Sequence, residues 1–142
     1  MTVTLTAEEL GYIALFENIT GARVKDCVIE EDRSIVTFVV NEGDMGLAIG
    51  RSGSNVKRIK NMIGRGVGVV EYSDDPVKFM KNAFLPAKVK SVEIFEQEGK
   101  KVAKVVIDIA DRGVVLGRRR KKLSSVKKLA ERHHGVHDIL VK

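Results

Sequence analysis

Apolar and polar positions along the chain change their period in one order, and then do so again. Residues 7–18 follow helical spacing behind Thr6 and Glu9, a capping-box pair, with Leu10, Ile13 and Ala14 marking an apolar side and Glu17 following at the next step. Residues 22–31 and 34–41 are rich in Val, Ile and Phe around a polar turn, which predicts a hairpin. Residues 44–49 predict a short apolar helix. Residues 54–63 predict a second, with Val56, Ile59 and Ile63 on one face, and 67–73 a closing strand. The second round predicts a helix over 76–84, strands over 87–97 and 101–109, helices over 111–116 and 121–133, and a strand over 136–141.

The repetition extends to individual residues. Ala22-Arg23-Val24-Lys25 matches Ala87-Lys88-Val89-Lys90, and Ile49-Gly50-Arg51 matches Leu116-Gly117-Arg118. At the second spacing Asp44 falls on Asp111, Gly46 on Gly113, Lys60 on Lys127 and Gly68 on Gly135. Two long copies make a tandem domain pair; a solenoid needs more and shorter ones. The boundary falls at Ser73-Asp74-Asp75-Pro76, where an aspartate can cap a helix and Pro76 can occupy its first turn. The expected fold class is α/β (α+β): domains 1–73 and 74–142, each a three-stranded sheet with helices packed on one face.

Composition narrows the function. The chain has 142 residues, 44% of them hydrophobic, so it can bury a core. No apolar run is long enough to span a bilayer, and Met1-Thr2-Val3-Thr4-Leu5 lacks the pattern of a signal peptide. The single cysteine, Cys27, lies in a strand-like run and reads as core; a reducing, cytoplasmic location is expected. Net charge is +6, unevenly spread. Residues 1–73 carry 8 Lys/Arg and 10 Asp/Glu, whereas residues 74–142 carry 17 and 9. Arg51 to Arg65 holds five cations and no acid, and Arg112 to Arg132 holds nine with only Glu131. Such clusters can neutralise phosphates. No nucleophile, base and acid set stands out, so no enzyme, small-molecule substrate or cofactor is expected. His133 and His137 are four apart, but Gly135 is expected to end the helix between them and spoil a metal site. Phe38, Phe79, Phe84 and Phe95 sit in apolar patterns and read as core.

The most informative segment is Gly50-Arg51-Ser52-Gly53, between two predicted helices. Glycine permits a sharp turn and close approach of another backbone, and the helix that follows presents free N–H groups and a positive dipole end. Arg51 adds charge; Ser52 and Asn55 add hydrogen-bonding groups; Lys57 and Arg58 extend the cationic face. Ile49, Val56 and Ile59 are candidates for an aliphatic groove floor beside it, or for plain core. A glycine pair at this spacing inside a repeated helix–strand–strand–helix–loop–helix–strand unit resembles the KH domain, whose GXXG loop clamps about four nucleotides of single-stranded RNA. The order resembles the type II form. Two such units with these loops resemble the paired KH region of the NusA family of transcription termination/antitermination factors, in its short archaeal form. The resemblance implies a single-stranded RNA-binding factor acting in transcription elongation and termination, with RNA polymerase as a candidate partner.

The second copy departs from the pattern. It reads Gly117-Arg118-Arg119-Arg120, so arginine stands where the closing glycine belongs, and Lys121 and Lys122 continue the cationic run. Like charges at a positive helix end repel, so the run reads as a phosphate track in which charge replaces geometry. Two other readings stay open: a KH protein of ribosome assembly or translation, and a polymerase-binding adaptor whose acidic face is Asp26, Glu30, Glu31, Asp32, Glu42 and Asp44. Replacing Arg118, Arg119 and Arg120 with Ala should flatten the dependence of log RNA affinity on log salt by about one unit per lost phosphate contact. An unchanged slope would return the run to ordinary surface.

Overall fold

The computed structural model describes residues 4–30, 32–116 and 121–142. The chain divides between Ser73 and Asp74 into two compact units. In the first, the elements are α1 (Ala7–Thr20), β1 (Val24–Ile29), β2 (Ile35–Val40), α2 (Met45–Ile49), a 3-10 turn (Arg51–Gly53), α3 (Ser54–Ile63) and β3 (Gly66–Glu71). In the second they are α4 (Pro76–Phe84), β4 (Val89–Gln97), β5 (Lys100–Ile107), a 3-10 turn (Ile109–Asp111), α5 (Arg112–Leu116), α6 (Lys121–His134) and β6 (Val136–Val141). Each unit holds one three-stranded sheet, ordered β1-β2-β3 or β4-β5-β6. The hairpin strands pair antiparallel, and the last strand pairs parallel with the middle one.

Local chemistry accounts for the element ends. The Glu9 N–H donates to Thr6 Oγ1 at 3.1 Å while the Thr6 N–H donates to Glu9 Oε1 at 2.8 Å, closing the capping box of α1. Gly21, in the left-handed region at φ 77°, ends that helix. Asp75 caps α4 by accepting from the Val77 N–H at 3.0 Å, with Pro76 in the first turn.

The buried face of α1 differs from the one its spacing suggests. Leu10 is 53% exposed and Ala14 is exposed, while Phe16 is fully buried and Tyr12, Ile13 and Ile19 pack around it. Polar and apolar side chains are mixed around this helix with no single apolar side, so periodicity cannot choose its inner face. The choice follows the largest side chain: Phe16 stacks on Phe38 of β2 with ring centroids 4.3 Å apart. Ala22, Cys27, Val36, Val40, Ala48 and Ile59 complete this core. In the second unit Phe79, Met80, Ala83 and Phe84 of α4 are fully buried, as are Val105, Ile107, Leu129 and Ala130. Phe95 is only half-buried.

The duplication is visible in hydrogen bonds. Asp44 accepts from the Arg23 N–H at 2.9 Å, and Asp111 accepts from the Lys88 N–H at 2.9 Å. Each bond ties the start of the first strand to the turn before the short helix. Both hairpins also carry a register shift near that strand's start, between Val24 and Asp26 and between Val89 and Ser91. One residue match needs correction. Gly135 is the counterpart of Gly64, not of Gly68. Both glycines end the long helix in the left-handed region, at φ 65° and 74°, whereas Gly68 lies inside β3 opposite Thr37. The mismatch arises because α6 has 14 residues and α3 has 10. Removing either clamp (Asp44→Ala or Asp111→Ala) should cost about 1 kcal/mol. The double variant should lose about the sum, since the two share no partner. Urea denaturation checks this, and no loss from either change would remove the clamp from the account.

Candidate nucleic-acid interface

The segment 50–53 reverses the chain between α2 and α3 in four residues, three of which have positive φ. Gly50 sits at φ 74°, ψ 175°, Ser52 at φ 52°, ψ 30°, and Gly53 at φ 74°, ψ 18°. The first pair of angles is essentially open to glycine alone. A serine in the left-handed region is uncommon and costs about 1 kcal/mol or more, a strain found mostly at functional loops. The Gly50 N–H donates to the Gly46 carbonyl at 2.9 Å, and the Gly53 N–H to the Gly50 carbonyl at 3.2 Å. Asn55 closes the turn: its Nδ2 donates to the Leu47 carbonyl at 2.8 Å. A Cβ on Gly50 would lie 2.8 Å from Asn55 Cγ and 3.0 Å from its backbone nitrogen. Gly50 is therefore required both by its backbone angles and by the close approach of Asn55. Gly53 is required by its angles alone, since a Cβ there meets open space.

Arg51 and Ser52 are exposed at the tip, and Lys57 and Arg58 are exposed along α3. Beside the loop lies an open cleft of about 340 Å³ lined by Met45, Ile49, Gly53, Val56, Lys57, Val67 and Val69. Ile49 and Val56 line it. Ile59 does not: it is fully buried in the core, one turn of α3 further on and turned toward the sheet. Sequence reasoning missed Met45, Val67 and Val69. Met45 lies one turn before Ile49 on α2. Val67 and Val69 alternate with Gly66 and Gly68, a period of two that places both valines on one side of β3.

Gly117, Arg118, Arg119 and Arg120 lie outside the described residues. Lys121 opens α6. Lys122, at the position equivalent to Asn55, is half-buried, and that burial pulls its ammonium below the usual lysine pKa. Of the six residues of the acidic face, Asp32 and Glu42 are exposed. Asp26 is fully buried, Glu30 is 7% exposed, and Asp44 is engaged with the Arg23 N–H. Its Glu31 lies outside the described residues. His133 and His134 pack against Phe79, with ring centroids 5.6 and 5.2 Å away, and Gly135 ends α6 before His137. Among the described residues, no helix is long and apolar enough to cross a membrane.

These units and the loop between their paired helices define a KH-domain protein, and the KH domain family matches residues 11–98. The chain is 40% identical over 139 residues to a probable transcription termination protein NusA from Halococcus morrhuae, covering 98% of each chain. It is 38% identical to the probable NusA of Methanocaldococcus jannaschii, across 98% of this chain and 75% of that one. It superposes on the crystal structure of APE1850 with a TM-score of 0.81 at 32% identity, covering 97% of this chain and all of the other. The chain belongs to the NusA family of transcription termination proteins.

Gly53→Ala should cost roughly 1–2 kcal/mol from its left-handed backbone alone. Gly50→Ala should cost clearly more, because its backbone angles are essentially open to glycine alone and the overlap with Asn55 adds to that strain. Equal losses in denaturant unfolding would show that Asn55 yields freely and that the close approach constrains nothing.

Proposed function

We propose that this protein is a non-enzymatic, single-stranded RNA-binding factor of transcription elongation and termination, working in the cytoplasm with two KH domains over residues 1–73 and 74–142. The observation that carries the reading is the loop 50–53: a strained, glycine-closed turn that presents Arg51 and Ser52 at the start of α3, next to an aliphatic cleft. The loop holds the sugar–phosphate backbone. Its glycines let the strand approach, Arg51 supplies charge, and the positive end of α3 favours an anion. Lys57 and Arg58 continue the contact along the helix. Bases lie in the cleft against Ile49 and Val56, with Met45, Val67 and Val69 completing its walls. Asn55 acts on the loop, by fixing its shape through Leu47. In the second module Gly117, Arg118, Arg119, Arg120, Lys121 and Lys122 hold phosphates chiefly by charge. RNA polymerase is the protein partner that membership of the NusA family favours.

The test is RNA affinity as a function of salt for the wild type and for the double variant Arg51→Asp with Ser52→Asp. Aspartate tolerates the left-handed region, so the loop keeps its shape while its charge reverses. Affinity should fall on the order of tenfold or more, with a shallower salt dependence. If the doubly acidic loop binds as tightly as the wild type, the cradle assignment fails.

A further inference from the structure

We propose that a polar notch at the far end of α3 is a second RNA-backbone site, taking a phosphate of the same strand beyond the nucleotides held by the loop and cleft; the proposal rests on the RNA-binding reading above. The notch, about 430 Å³, is lined by Ser34, Lys60, Asn61, Gly64, Arg65 and Gly66. It is reached along one helix face. Lys57 lines the cleft, and Lys60 and Asn61, three and four residues later, line the notch. Residues at those spacings are surface neighbours, so one row of side chains joins the two sites. The ten residues of α3 span about 15 Å, which sets the scale of the track.

The chemistry of the notch suits an anion. Lys60 is exposed, and Arg65 brings a second cation. Arg65 Nη1 is buried with no hydrogen-bond partner among the described residues; its nearest carboxylate oxygen, Glu8 Oε2, is 3.9 Å away and already bound to Arg33. The guanidinium also lies 5.8 Å from the Tyr12 ring centroid, so Arg65 is held in place and lends the notch its charge. The acids facing this region are Glu8 and Asp32. Glu8 is shared between two arginines, and Asp32 accepts from the Ser34 hydroxyl and N–H. The carboxyl end of a helix disfavours an anion, so the site depends on both cations.

The second unit supplies an internal comparison. It has a crevice of about 480 Å³ between α6 and β6, lined in part by Lys127, Lys128, Glu131 and Asp138. There Lys127 Nζ lies 3.1 Å from Asp138 Oδ1. The Ile139 N–H and Lys127 together hold the Asp138 carboxyl below the usual aspartate range. That crevice is neutralised from within. In the first unit Gly66 opens β3, and the whole stretch from Arg51 to Arg65 contains no acid, although residues 1–73 carry ten. A merely solvated helix face would be expected to mix signs.

The experiment measures binding of random-sequence single-stranded RNAs of about four and about twelve nucleotides. The proteins are the wild type, Lys60→Gln and Lys60→Glu; Lys60 is exposed, so these variants keep the fold. The expected result is a several-fold loss for the longer RNA only, larger for Glu than for Gln. The salt slope should fall by roughly 0.7–1 for Gln, the value of one phosphate contact. No loss for the longer RNA, or the same loss for both lengths, overturns the notch site. The variant carrying Arg51→Asp and Ser52→Asp tells the two failures apart: if it binds both lengths as tightly as the wild type, or if the wild type binds neither, the RNA-binding reading has failed and the notch fails with it.

Discussion

The first unit turns its chain between two helices within four residues and leaves the tip of that turn exposed. Gly50, Ser52 and Gly53 make the turn with positive φ of 74°, 52° and 74°. The turn sets where α3 starts and hence which of its residues face inward. Ile59 goes into the core, Val56 stops at the rim, and Lys57 and Arg58 remain outside. The cleft beside the loop follows from the same constraint, since Gly53 and Val56 form its edge against Met45 and Ile49 of α2. A turn of this kind is not held by its glycines alone, because a flexible residue that can adopt an angle can also leave it. Asn55 supplies the restraint by binding the Leu47 carbonyl across the turn, and Gly50 is small enough to let it do so.

This dependence explains which parts of the molecule could be read from its residues. The strands were legible because Val24–Ile29 and Ile35–Val40 are dense in β-branched and aromatic side chains around a polar turn. Helix ends were legible because Thr6, Glu9, Asp75 and Gly135 are capping residues whose chemistry is local. The buried side of α1 was not. It is decided by the stacking of Phe16 on Phe38, a contact between residues far apart in the chain, and no helical period within 7–20 encodes it. The loop itself was legible as a glycine pair between helices, but the role of Asn55 was not, since its partner is eight residues away on the other side of a turn. The cleft was half legible. Ile49 and Val56 flank the loop in sequence, whereas Val67 and Val69 reach it only because β3 pairs parallel with β2 and returns beneath the helices.

The duplicated clamp shows which part of the design is scaffold. Asp44 and Asp111 make the same bond at the same distance to Arg23 and Lys88, and both hairpins shift register near the same place. These bonds tie the start of the first strand to the turn before the short helix in each unit, whatever that helix then presents. What differs is the apparatus carried on it. In the first unit the residue after the loop that faces back across the turn is an amide; in the second the equivalent position is Lys122, a partly buried cation. A lysine has no acceptor and cannot bridge as an amide does, and it loses solvation where it sits. Its sequence neighbours Arg118, Arg119, Arg120 and Lys121 are all cations as well, so the folded second unit keeps positive charge at a helix start whose dipole opposes it.

Charge of that sort is unfavourable at a helix start, whereas the strain at Ser52 is a backbone term that charge does not touch. The two units therefore differ in kind as well as in degree. The first holds a fixed and strained backbone shape at its loop. The second places cations at the start of α6. Salt acts on these terms unequally: ionic screening weakens the second strongly and leaves the shape of the first intact.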